Sequence, residues 1–117
     1  MPGEPVAVVG PLELLPANEY DAEIAYAMLP PGNRTPVHTH FGPEAWYVIA
    51  GEQCLETPKG AMKAGKGETM SVMSSIPMEL KITGPSVRRS LTLVIHDSTK
   101  PFGVNTSEWK PTGACGT

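Results

Sequence analysis

Apolar and polar residues alternate over short distances along this chain. Residues 76–83 show it most clearly, with Met78, Leu80 and Ile82 on one face of an extended backbone and Glu79, Lys81 and Thr83 on the other. That period of two belongs to a β-strand. It recurs at residues 22–29, where Ile24, Tyr26 and Met28 share a face opposite Glu23, Ala25 and Ala27. Further strand-like runs lie at 44–50, 52–57, 61–64, 68–73 and 89–96, bounded by Gly, Pro, Asn and Ser. Residues 5–15 read as one or two short strands broken at Gly10-Pro11, the first an edge or exchanged strand where proline is tolerated. Pro58-Lys59-Gly60, Gly65-Lys66-Gly67 and Gly84-Pro85 are turn signals. No window repeats apolar residues at helical spacing. The pattern predicts an all-β sandwich or barrel.

Composition narrows this further. A chain of 117 residues is expected to form one domain over 1–117. From Asp97 onward the sequence turns polar, with Pro101, Pro111, Gly113 and Gly116, and 97–117 reads as a C-terminal surface tail. Thirteen prolines and twelve glycines disfavour long helices. The net charge is −3 and the basic residues form no cluster beyond Arg88-Arg89, so no nucleic-acid partner is expected. No apolar run approaches the roughly 18 residues of a membrane helix, so no membrane partner is expected either. Met1-Pro2-Gly3 lacks the charged and apolar regions of a secretory signal.

The two cysteines, Cys54 and Cys115, are disulfide candidates. A bond between them would close a loop of about 60 residues and stabilise the fold by roughly 4 kcal/mol in the chain-entropy model. It would point to an exported or periplasmic chain, and two free thiols to a cytoplasmic one.

Candidate chemistry gathers in residues 32–51, GNRTPVHTHFGPEAWYVIAG. His38 and His40 are two apart and project to the same side of a strand. Gly42-Pro43 turns the chain, and Glu44 begins the partner strand with Trp46 and Val48 on its own face. Two imidazoles and one carboxylate with open positions form the ligand set of non-haem iron(II) oxygenases, and Mn, Ni, Cu or Zn also suit these donors. Tyr26 and Trp46 are candidate apolar walls of a small-molecule pocket, or else core.

The stretch resembles the first motif of the cupin superfamily: Gly32, five residues, His38-x-His40, then Glu44 and, six residues on, Gly51. The second motif is degenerate. Gly67 begins it, but Met73 stands where the family has Pro, Ser75 where it has Gly, Met78 where it has a metal-binding His, and Ile82 where it has Asn. The resemblance implies a double-stranded β-helix, or jelly-roll, barrel of RmlC-like type and often a homodimer. It also implies one divalent transition metal (Fe, Mn, Ni, Cu or Zn) on His38, His40 and Glu44. The activity implied is that of a metal-dependent enzyme, dioxygenase- or isomerase-like, acting on a small oxygenated organic molecule. Met78 is either a soft fourth ligand suited to copper(I), in a pocket lined with Met73 and Met70, or an adaptable apolar filler. A copper-holding or small-ligand binding module without catalysis, or a site holding an anion and no metal, stays open. His96, ending the last strong strand, reads as a strand-end residue bonded to Asp97 or a turn, with a replacement ligand as the sharper alternative.

Overall fold

A computed structural model describes residues 3–116, and every element among them is a strand. There are nine: β1 (Tyr20–Leu29), β2 (His38–His40), β3 (Glu44–Ala50), β4 (Glu52–Thr57), β5 (Gly60–Gly65), β6 (Thr69–Val72), β7 (Glu79–Thr83), β8 (Arg88–Asp97) and β9 (Gly103–Asn105). One sheet runs β1-β8-β3-β6, a second β5-β4-β7, and β2 pairs with β9. The extended lead into β2 continues the second layer. Thr35 N–H donates to the Leu80 carbonyl, Ile82 N–H donates to the Asn33 carbonyl, and His38 and Met78 donate to each other, along β7 and the residue before it.

The alternation seen in the sequence places the core between the layers. Trp46 and Val48 of β3 meet Leu55 of β4, Ala64 of β5, Met70 and Val72 of β6, and Leu80 and Ile82 of β7, with Met78 just before that strand. Each of these side chains is removed from water, which drives the two sheets together. Strand β4 is buried on both faces from Gln53 to Thr57. Its inner face meets the core. Its outer residues, Cys54 and Glu56, lie under the C-terminal segment: Cys54 is bonded to Cys115, and Glu56 accepts hydrogen bonds from Thr112 and Ala114. The expected disulfide is therefore formed.

Two expectations need correction. Residues 5–15 form no strand. Pro5 and Pro11 remove backbone donors, and residues 5–12 instead lie over the outer face of the β1-β8-β3 region, bounding an apolar cleft of about 390 Å³ with Ile24, Tyr47, Leu91 and Leu93. The segment from Asp97, read as surface tail, does run over the surface but also supplies β9, which pairs with the histidine strand. A three-residue strand is shorter than the runs by which strands are recognised in sequence.

Candidate metal centre

Strand β2 is held on both sides. His38 lies opposite Asn105 and His40 opposite Gly103 on β9, while His38 also exchanges two backbone hydrogen bonds with Met78. This fixes the backbone of both histidines before their rings make any contact. The rings stand edge to face, centroids 4.9 Å apart. Gly42 then lets the chain double back to Glu44. A Cβ there would stand 1.7 Å from the Ile95 carbonyl oxygen, so only glycine fits against β8.

Each histidine is aimed by a main-chain carbonyl. His38 Nδ1 lies 2.7 Å from the Pro36 oxygen, and His40 Nδ1 lies 2.8 Å from the Phe102 oxygen. A carbonyl only accepts, so each Nδ1 carries the hydrogen, and in the neutral ring each Nε2 presents a lone pair. This outer partner is the usual device for orienting a metal-binding imidazole. One donor atom from each of His38, His40 and Glu44 falls within 4.8 Å of the other two. His40 and Glu44 are 3 % and 6 % exposed. His40 Nε2 and Glu44 Oε1 stand 2.9 Å apart, yet neither makes a hydrogen bond of proper geometry. Two buried polar atoms without partners are expensive, and a cation between them would satisfy both, so the residues fit a metal ion. Burial is the largest single influence and opposes a charge on His40, but Glu44, the Phe102 carbonyl and Glu23 together hold its pKa above the ordinary value.

The cleft beside these ligands, about 340 Å³, is walled by Thr35 and Pro36 on one side and by Phe102, Gly103, Val104 and Asn105 on the other. The four pocket residues expected from the sequence do not line it. Tyr26 is 54 % exposed on the outer face with Ile24 and Met28. The apolar side of β1 faces outward, because Glu23 and Ala25 take the inner register. Trp46 fills the core. Met73 borders a different depression with Thr57, Met62 and Ile76. Met78 is 1 % exposed within the hydrophobic cluster, the surroundings of a filler. Ser75, where the motif that the sequence resembles has glycine, has a left-handed φ of 64°.

His96 joins no ligand group. Its Nδ1 bonds the Asp97 carbonyl at 2.8 Å, as its strand-end position implied, and its Nε2 meets Glu23 Oε2 at 2.6 Å. Burial lowers its pKa, but Glu23 and the Asp97 carbonyl more than offset this and raise it. Arg88 was also missed as an interior group. It is 1 % exposed and bonds Gln53 and Ser90, while its Nε has no partner. Its signal was parity: residues 88, 90, 92, 94 and 96 share the inward face of β8.

No family model matches the sequence, and no curated protein does. Solved structures do. A cupin-like protein from Thermotoga maritima superposes with a TM-score of 0.65 at 15 % identity, over 74 % of this chain and 65 % of that one. The chain thus spans about two thirds of that protein. A double-stranded β-helix protein from Klebsiella pneumoniae gives 0.62 at 18 % identity, over 80 % and 91 %. The polyketide cyclase RemF from Streptomyces resistomycificus gives 0.58 at 24 % identity, over 74 % and 63 %. With its helix-free sheets arranged as in these proteins, the chain has the cupin, RmlC-like double-stranded β-helix fold.

Proposed function

We propose that this chain holds one divalent transition metal on His38 Nε2, His40 Nε2 and Glu44 and acts as a metal-dependent enzyme on a small oxygenated organic molecule. The observation that carries it is the pair of buried, unpartnered atoms, His40 Nε2 and Glu44 Oε1, facing the space that His38 also faces. When bound, the metal would supply Lewis acidity or dioxygen chemistry, in the manner of isomerases or dioxygenases. The protein's part is to fix three donors, leave coordination positions open, and admit a substrate through the cleft beside Thr35 and Asn105. With Met78 in the core, the site is read as a three-ligand one. A cyclase of the same fold supports catalysis on organic substrates as within the reach of the architecture.

The test is metal content of protein prepared without chelator, beside a His38→Ala, His40→Ala control. About one redox-capable metal per chain, lost in the control, is expected. Copper alone would favour the second reading, a copper-holding module. No metal, with no thermal shift on adding Mn(II), Fe(II), Ni(II), Cu(II) or Zn(II), would overturn both. We also propose a homodimer formed through the outer face of the β1-β8-β3-β6 sheet, where Ile24, Tyr26, Met28 and Leu91 are all exposed.

A further inference from the structure

The two histidines differ in where their orienting carbonyls come from. The His38 partner, Pro36, is two residues away, whereas the His40 partner, Phe102, is 62 residues downstream. The Phe102 ring also stands edge to face on His40, with centroids 4.8 Å apart. The tautomer and aim of His40 therefore depend on residues 102–115, which form a strap. At its inner end the strap pairs through β9 with β2, and Thr106 N–H donates to the Val37 carbonyl. At its outer end Thr112 and Ala114 donate to Glu56, and Cys115 is bonded to Cys54.

No apolar side chain of the strap ahead of Cys115 is fully buried, Trp109 and Pro111 being half-buried. Phe102 and Val104 are each 42 % exposed. A three-residue ladder with so few buried contacts belongs to the low-stability end of a fold. Its persistence rests on the outer fastening, and the covalent part of that fastening is the disulfide.

We propose that the Cys54–Cys115 bond is a redox lock on His40. In the oxidised chain the strap stays docked, Nδ1–H of His40 donates to Phe102, and Nε2 faces Glu44. Exchange with a dithiol opens the lock. Two electrons and two protons convert the bond to two thiols, while the dithiol closes to its own disulfide. Attack falls on Cys115, 8 % exposed, rather than on the fully buried Cys54. The strap then leaves β2, and His40 is released to either tautomer, while His38 keeps its local partner. Weaker metal binding follows, and that consequence alone rests on the function proposed above.

The test compares oxidised and dithiothreitol-reduced chain, free of metal. Amide exchange at Val104, Asn105 and Thr106 is expected to quicken by at least ~10-fold on reduction, while Leu80 and Ile82 in β7 stay protected. Imidazole nitrogen shifts are expected to move for His40 and hold for His38. In a Cys54→Ala, Cys115→Ala chain, Ni(II) affinity by calorimetry is expected to fall about 10- to 100-fold, the range for loss of an outer-shell partner. Unchanged exchange and an unchanged His40 tautomer on reduction would overturn the lock. A loosened strap in a chain that binds no Ni(II) in either state would support the lock and sink the metal reading. Should reduction unfold β7 as well, the Glu56→Gln chain, with its bond intact, decides. Protection of β9 is expected to survive there, and its loss would assign the fastening to Glu56 and overturn the lock.

Discussion

At the scale of single residues, close approach governs the site. A Cβ added at Gly103 would lie 2.7 Å from His40 Nδ1 and 2.8 Å from the Thr39 carbonyl oxygen. Gly103→Ala must therefore push β9 off the histidine strand. Its Ni(II) affinity is expected to drop about 10-fold or more, with the melting temperature shifted far less than in a core substitution. Equal affinity by calorimetry would refute the role given to Phe102. His96 offers a separate check. Its raised folded-state pKa means that its bond to Glu23 stabilises the fold below the ordinary histidine value near 6.5. That contribution is lost as pH rises through the folded-state value. The Glu23 side chain is 48 % exposed, so solvent screening keeps the effect below about 1 kcal/mol. Urea unfolding of wild type and Glu23→Gln should show a gap that narrows with rising pH, and a gap that widens would contradict the pairing.

At the scale of elements, β4 shows how the fold spends a buried carboxylate. Burial alone would raise the pKa of Glu56, but the Thr112 and Ala114 donors overcome this and lower it. Its contribution to stability is present above the ordinary glutamate range and lost as pH falls through the depressed folded value. Glu56→Ala is expected to cost about 2–4 kcal/mol in urea unfolding at neutral pH, from three orphaned donor bonds of about 1 kcal/mol each. That penalty should shrink in acid. The strands themselves were legible where alternation met turn signals. β4 and β7 fell almost where the pattern of Gln53, Leu55 and of Leu80, Ile82 put them, and His38, His40 and Glu44 converge as their spacing implied. The pattern misled where both faces of a sheet are apolar, as at Tyr26. It was silent where a strand is three residues long, as in β9. Nor does hydropathy reveal that a distant carbonyl, at Phe102, aims a ring at residue 40.

At the scale of the whole molecule, one sheet keeps an apolar outer face. Ile24 is 71 % exposed, with Tyr26 and Met28 beside it. Sedimentation should find a dimer at micromolar concentration, and Ile24→Lys, Tyr26→Lys should return it to monomer without unfolding. A monomeric wild type would remove the dimer. The long reach from His40 to Phe102 has a further consequence through reciprocity. If docking of residues 102–106 favours an ion at His40, an ion at His40 favours that docking by the same free energy. For the 10- to 100-fold difference in affinity expected above, that coupling is about 1.4 to 2.8 kcal/mol. Resistance of the peptide bonds between Asn105 and Thr112 to proteolysis should therefore rise with Ni(II) concentration. The C-terminal segment would then serve as a gauge of occupancy that can be read without knowing the substrate.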